Sequence, residues 1–169
     1  MTADAQSLYS TALQNTHALE LQALQIMERQ IERLERYPEM AQALKAHVRE
    51  THDQRDRLEE AMQAIGTSPS AIKEGILGFV GNMAALAHAP APDEILKNAF
   101  ANRAFENFEA AAYQSLLVFT EAAGQTRFLA GFQTSLDQEL AMSQRVADLV
   151  APTTRRYIEL TLAGEKADR

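Results

Sequence analysis

Glycine and proline are confined to a few short clusters, and this distribution constrains the fold more than any other feature of the sequence. The chain of 169 residues contains only 7 glycines and 5 prolines. Between the clusters, apolar residues recur at helical spacing, and no alternating β-type pattern is present. Because glycine and proline are the residues that most strongly interrupt helices, the sequence predicts an all-α protein with long, uninterrupted helices.

Four long helices and two short ones are predicted. Each long helix carries a stripe of apolar residues spaced three or four positions apart. The break at Tyr37-Pro38 is very short, so the first two helices are expected to be antiparallel neighbours. The predicted long helices are Ser7–Arg36, Pro38–Ile65, Asp93–Gly124 and Gln125–Val150, and the predicted short ones are Ala71–Ala87 and Thr153–Leu162.

The longest connection runs over residues 66–92 and contains the first short helix. A crossover of this length allows the second and third long helices to run parallel, as in ferritin-type bundles. We therefore predict a ferritin-like four-helix bundle that forms a single domain over residues 1–169, with its core at about residues 7–150. A short C-terminal helix is expected to follow Pro152, which should stop the fourth long helix.

Composition and charge exclude several classes of function. The net charge of −7 disfavours nucleic acid as a partner. The absence of cysteine excludes disulfides, zinc–thiolate sites and cysteine nucleophiles. The most apolar run, Ile76–Ala91, is too short and too polar to span a membrane, and the first residues do not resemble a secretory signal. These observations predict a soluble cytoplasmic protein.

The segment Phe105–Tyr113, FENFEAAAY, contains the least expected feature of the sequence. Glu106 and Glu109 lie three residues apart, on one face of the predicted third long helix. Apolar residues at helical spacing indicate that this is the buried face. Burying a carboxylate is costly unless a cation, a proton or a hydrogen bond compensates it. The two acids are therefore candidates for a functional site, with Tyr113 expected to pack beside them and bond a carboxylate through its hydroxyl.

The other long helices carry similar anomalies. Glu20, Glu50 and Glu139 each occupy the middle of an apolar stripe. In a bundle of antiparallel pairs, these three acids and the pair on the third helix would lie within about one turn of the same level. The sequence therefore predicts that the acids of all four helices converge inside the bundle.

Converging carboxylates survive by binding a multiply charged cation, by sharing protons or by pairing with bases. A metal is the most economical partner, and oxygen-rich ligands suit iron or manganese, two ions in a di-metal centre. His47 and His17 precede Glu50 and Glu20 by three residues, so either could contribute a ligand. The usual Glu-x-x-His pair is missing, because Asp53 and Met142 stand where histidine is expected. Asp53 is retained as the weakest candidate ligand.

Four segments together resemble the YciE/YciF family of bacterial ferritin-like stress proteins. They are Leu19–Gln22, His47–Thr51, Phe105–Tyr113 and Leu136–Glu139, and their order and spacing agree over about residues 7–150. The resemblance implies a ferritin-like bundle that is often dimeric, is associated with stress responses and contains a di-metal site. The family has histidine where this chain has Asn107, a position that lies off the apolar stripe, so we expect the change to be neutral.

Three functional hypotheses remain open. The first is a bundle that binds two ions, Fe or Mn, with at most an oxidase-like or peroxidase-like activity; O2 or peroxide is then the small-molecule partner. The second is a structural or interaction bundle of the stress response whose carboxylate cluster holds no metal. The third is a helical binding module that uses the glycine- and alanine-rich crossover. A homodimer is expected from the resemblance.

Overall fold

The computed structural model describes residues 4–69 and 91–168, and these residues form four long α-helices and no strand. The predicted all-α class is therefore confirmed, whereas the predicted crossover helix Ala71–Ala87 lies outside the described residues. No helix in the described part of the chain is both long and apolar enough to cross a membrane. The helices are α1 (Ala5–Ile31), α2 (Pro38–Ala64), α3 (Glu94–Ala122) and α4 (Leu129–Leu162), with a 3₁₀ turn at Thr126–Phe128 before α4.

Local interactions explain where most of the helices begin and end. The Asp4 carboxylate accepts a hydrogen bond of 2.7 Å from the backbone N–H of Ser7 and so caps the first turn of α1. At the end of α3, Gly124 has a φ of 69°, a left-handed conformation that favours glycine. This allows the Gln125 N–H to bond the Thr120 carbonyl, which closes a Schellman motif.

The end of the first helix differs from the prediction. α1 stops at Ile31 rather than at Arg36. The Arg33 and Leu34 N–H groups bond carbonyls three residues back, so the chain tightens into turns after α1. Leu34 and Tyr37 are buried, and Pro38 disfavours a helical conformation at the residue before it. The turn therefore buries these apolar side chains beneath the α1–α2 connection.

The prediction of a separate C-terminal helix after Pro152 is wrong. Pro152 does not stop the fourth helix, because α4 continues through it to Leu162 as one helix of 34 residues. A proline inside a helix removes one backbone hydrogen bond and costs about 3 kcal/mol. Tertiary contacts offset this cost: beyond the proline, Thr153 and Leu160 are buried, and Leu160 belongs to the hydrophobic core.

Polar contacts between helices show their relative directions. In α1 and α2, Gln14 bonds Ser68 whereas His17 bonds Glu59, so the two helices are antiparallel. α1 and α3 are antiparallel as well, because residues 20, 30 and 33 contact residues 113, 102 and 94. α2 and α3 therefore run parallel to each other. This is the geometry that the long crossover predicts for a ferritin-like bundle.

The hydrophobic core of the bundle is divided into two clusters. One cluster includes Leu19 and Met27 of α1 and Val146 of α4, whereas the other includes Leu13 of α1 and Phe132 of α4. Every helix passes from one cluster to the other through a short buried polar stretch. The buried polar residues of this layer are Thr16, Glu20, His47, Thr51, Gln54, Glu106, Glu109, Glu139 and Ser143.

The continuity of α4 leads to a prediction about its last turns. Leu160 is 2% exposed and Leu162 is 84% exposed, so the two leucines form a matched pair on one helix. Leu160→Ala should lower the free energy of unfolding by about 2–4 kcal/mol, because it leaves a cavity in the core. Leu162→Ala should change it by less than about 0.5 kcal/mol. Urea unfolding followed by circular dichroism measures both. Equal, small effects would show that the segment after Pro152 is not part of the core.

Candidate metal centre

The polar layer places four carboxylates and one imidazole in the middle of the bundle. Glu20 of α1, Glu106 and Glu109 of α3 and Glu139 of α4 are each at most 3% exposed, and His47 of α2 is 1% exposed. One ligand atom from each of His47, Glu106 and Glu139 lies within 4.8 Å of the others, close enough for one metal ion. Of the acids predicted to converge inside the bundle, the structure thus buries all except Glu50.

His47 is the only basic group in direct contact with this cluster among the described residues. Its Nδ1 lies 2.9 Å from Glu50 Oε2, and its Nε2 lies 2.9 Å from Glu106 Oε2 and 3.5 Å from Glu139 Oε2. Burial by itself would lower the pKa of His47, but the negative charge of Glu106 and the close contacts with Glu139 and Glu50 outweigh it and raise the pKa far above its usual value. The imidazole is therefore protonated at neutral pH and partly neutralises the acids.

The remaining negative charge is relieved by protons. Burial, followed by repulsion from Glu139, raises the pKa of Glu20 well above its usual range. Burial raises the pKa of Glu109 as well, with further increases from Glu139, Glu20 and Glu106. Burial also raises the pKa of Glu139, to about 7, even though His47 lowers it. One imidazolium does not compensate four buried carboxylates, so part of the cluster holds protons at neutral pH.

Two neutral side chains hold the acids in place. The Tyr113 hydroxyl donates a hydrogen bond of 2.5 Å to Glu20 Oε1, which confirms the predicted bond between this tyrosine and a carboxylate. Gln54 Nε2 donates a hydrogen bond of 2.5 Å to Glu139 Oε1. In each case one carboxylate oxygen is bonded to the protein and the other is left over. Such outer contacts orient ligands for a metal.

The oxygens left over are buried and have no hydrogen-bond partner. They are Glu20 Oε2, Glu106 Oε2, Glu109 Oε1 and Glu139 Oε2. His47 Nε2 is also without a hydrogen bond, because it lies at ion-pair distance from Glu106 but outside hydrogen-bond geometry. A buried polar atom without a hydrogen bond is costly, and a group of such atoms at one level is unusual in a native core. The donor chemistry of these atoms fits a metal ion.

Not every predicted ligand reaches the cluster. The Glu50 side chain is 43% exposed and contacts His47 from the outside, and Asp53 is exposed on α2. His17 Nε2 contacts Glu59 Oε1 at 2.9 Å and does not belong to the group within 4.8 Å. Asn107 is exposed and bonds the Arg103 carbonyl, as expected for a position off the stripe.

Gln54 is the residue whose role the sequence analysis did not predict. It is fully buried, and besides Glu139 it contacts Gln138 Oε1 at 3.3 Å. Arg57 Nη1 lies 3.1 Å from the same Gln138 oxygen and 3.1 Å from Ser135 Oγ. The sequence does contain a hint of this role, because Gln54 lies on the apolar stripe of α2 between His47 and Leu58. A stripe position does not reveal which carboxylate of a facing helix the amide will bond.

The fold and the site together define a class: a ferritin-like helical bundle with a buried carboxylate–histidine cluster. A family model described as a domain of unknown function, DUF892, matches residues 4–159, and the chain belongs to this family. This assignment agrees with the resemblance to the YciE/YciF proteins.

Solved structures with the same fold confirm the bundle. Protein XCC3681 from Xanthomonas campestris is 23% identical, with a TM-score of 0.79 over 94% of this chain and 99% of that one. YcfI from Rhodopseudomonas palustris is 23% identical, with a TM-score of 0.73 over 86% and 94%. The stress protein YciF of E. coli is 18% identical, with a TM-score of 0.77 over 89% and 96%.

The raised pKa values predict how the stability of the metal-free protein depends on pH. Glu20, Glu109 and Glu139 bind more protons in the folded state than in the unfolded state above about pH 4.5. His47 does the same above its usual pKa of 6.5. The free energy of unfolding should therefore fall as pH rises, by at least about 1 kcal/mol between pH 5 and 7. Urea unfolding of EDTA-treated protein measures this, and a rise in stability over that range would contradict it.

A neutral replacement inside the cluster should stabilise the metal-free protein. Glu109→Gln keeps the shape of the side chain and removes a carboxyl group that must either bury its charge or take up a proton on folding. At pH 7 it should raise the free energy of unfolding by about 1 kcal/mol or more, since each pKa unit corresponds to about 1.4 kcal/mol. Glu60→Gln on the exposed surface of α2 is the matched control, with an expected change below about 0.5 kcal/mol. If Glu109→Gln destabilises the metal-free protein, the carboxylate is compensated in another way.

Proposed function

We propose that the bundle is a metal-binding protein whose polar layer holds two divalent ions, iron foremost and manganese as the second choice. The observation that carries this proposal is the set of five buried ligand atoms that make no hydrogen bond, contributed by all four helices at one level. Of these atoms, His47 Nε2 has only the electrostatic contacts to Glu106 and Glu139 among the described residues. Glu20 Oε2 and Glu109 Oε1 have neither a hydrogen bond nor an ion pair within that part of the chain. A structural core gains nothing from unpaired carboxylate oxygens, since each adds a desolvation cost. A site for a cation explains why they face one another.

Charge balance supports two ions rather than one. With a metal bound, His47 would ligate as the neutral imidazole, so the four buried carboxylates would contribute a charge of −4. Two divalent cations neutralise this charge, whereas one leaves a net negative charge in a medium of low dielectric constant. The carboxylate oxygens and the single imidazole nitrogen form the kind of ligand set that suits iron and manganese.

The ligands fall into two groups that would bind with different strength. His47, Glu106 and Glu139 form the group within 4.8 Å and include the only nitrogen. Glu20 and Glu109 provide oxygens alone, and Tyr113 orients the first of them. Binding must displace the protons that the metal-free cluster holds, so metal affinity should fall as the pH is lowered.

The only chemical activity that we propose is a redox reaction at the di-metal centre. If the buried carboxylates and His47 hold two ferrous ions, the centre would supply electrons for the reduction of O2 or peroxide, and this oxidase-like or peroxidase-like reaction is the most that we propose. The description of YciF, which shares the fold, as a stress protein supports a role in a stress response. The proposed chemistry makes metal or oxidative stress the kind of stress that we propose.

Metal analysis tests the proposal directly. Protein produced in iron-replete medium and purified without a chelator should contain about two ions of iron or manganese per chain. Inductively coupled plasma mass spectrometry measures this content. Removing buried ligands should weaken binding at least about tenfold. The variants are Glu106→Gln and Glu139→Gln, singly and together, and Glu60→Gln is the control of equal charge change. Calorimetric titration of the stripped protein measures the affinities.

The measured metal content can also contradict the proposal. If the wild-type protein binds no more metal than the double variant, the metal-free structural bundle is the better reading. The ion pair of His47 with Glu106 and the bond of Tyr113 to Glu20 would then be the compensation that the cluster needs. Circular dichroism of every variant verifies that loss of metal is not loss of fold.

A further inference from the structure

The buried cluster needs a route by which a cation enters it. Glu20 and Glu109 are each 1% exposed and Glu139 is 0% exposed, so solvent does not reach the proposed centre directly. A divalent ion arrives hydrated, and ligands of the protein must replace the waters that it loses on the way to a buried site. A route must therefore begin at a surface pocket that offers a charged oxygen and must end within one side chain of the cluster.

The seam between α2 and α4 satisfies both conditions. A surface pocket of about 370 Å³ lies there, lined by Glu50 and His47 together with Ala46, Ala141, Met142 and Arg145. In the same measure of volume one water needs about 10–15 Å³, so this pocket has room for the six waters of a hydrated cation. Arg145 is exposed, so solvent screens its charge.

His47 connects this pocket to the cluster, because it lines the pocket and contacts carboxylates of both. Its Nδ1 faces Glu50, whose side chain is 43% exposed, and its Nε2 faces Glu106 and Glu139, which are buried. The imidazole ring of His47 thus lies between a cation held by Glu50 and the buried carboxylates of Glu106 and Glu139.

On the opposite side of the cluster, the cavity between the described parts of α1 and α3 is too small to serve as an equivalent route. Between α1 and α3 a cavity also reaches Glu106, but its volume is only about 10 Å³ and it is lined mainly by apolar side chains such as Met27 and Phe105. This is about the space of one water molecule, too small for a hydrated ion.

We propose that the pocket between α2 and α4 is the entrance to the metal centre and that Glu50 first binds the incoming divalent cation and transfers it past His47 to Glu106 and Glu139. This inference rests on the proposed metal-binding function. It assigns to Glu50 a transient role, distinct from that of a resident ligand.

The test compares the rate of metal uptake with the amount finally bound. Stripped protein is mixed with Co²⁺ in a stopped-flow instrument, and the visible absorbance of the bound ion is followed to its end point. Glu50→Gln should slow uptake about tenfold or more, because a charge that raises the local cation concentration is lost. The amount bound should be unchanged, because glutamine retains an oxygen that accepts a hydrogen bond from His47 Nδ1.

A second variant obstructs the pocket without changing charge. Ala141→Phe, at an exposed position of α4, should also slow uptake and leave the final amount unchanged. The matched controls are Glu60→Gln and Ala111→Phe, which alter exposed positions outside the pocket lining. Both controls should take up cobalt at the wild-type rate.

Each other result overturns the inference in a recognisable way. Wild-type rates in both pocket variants would show that the ion enters elsewhere. A smaller final amount bound by Glu50→Gln would show that Glu50 is a resident ligand and not a transient one. If the wild-type protein binds no cobalt at all, the proposed function fails and this inference fails with it.

Discussion

The stability of the bundle depends on how the four buried carboxylates of its polar layer are compensated. Glu20, Glu106, Glu109 and Glu139 repel one another and have lost their hydration, so the folded state must compensate both costs. It does so with one imidazolium at His47, with hydrogen bonds from neutral donors and with protons at raised pKa values. Four carboxylate oxygens of the cluster still make no hydrogen bond, and this is the feature on which the proposed metal site rests.

The rest of the bundle is built to tolerate this layer. Two apolar clusters, one on each side of it, supply the burial that stabilises the helices. The antiparallel pairing then brings the polar stretches of all four helices to one level. A shift of any helix by one turn would place a carboxylate against an apolar cluster, so the same acids that cost stability also specify the register of the helices.

Sequence reasoning was successful where helical periodicity carries the information. The stripes of α1, α3 and α4 correctly identified Glu20, Glu106, Glu109 and Glu139 as buried, and the exposure of Asn107 followed from the same spacing. It was less successful at the edges of the stripe. Glu50 and His47 are separated by three residues, and only one of them enters the core. Which side chain points inward depends on the position of α4, and periodicity along α2 does not contain that information.

The sequence by itself determined the class of fold and the chemistry of the layer, because the spacing of apolar residues defines helix faces and the breaks between them define the connections. Only the tertiary structure decided which atoms meet. It oriented His47 between Glu50 and Glu106, recruited Gln54 to Glu139 and carried α4 through Pro152. The physical reason is that local propensity is worth a few kcal/mol at most, whereas packing across helices sets the environment of each buried group.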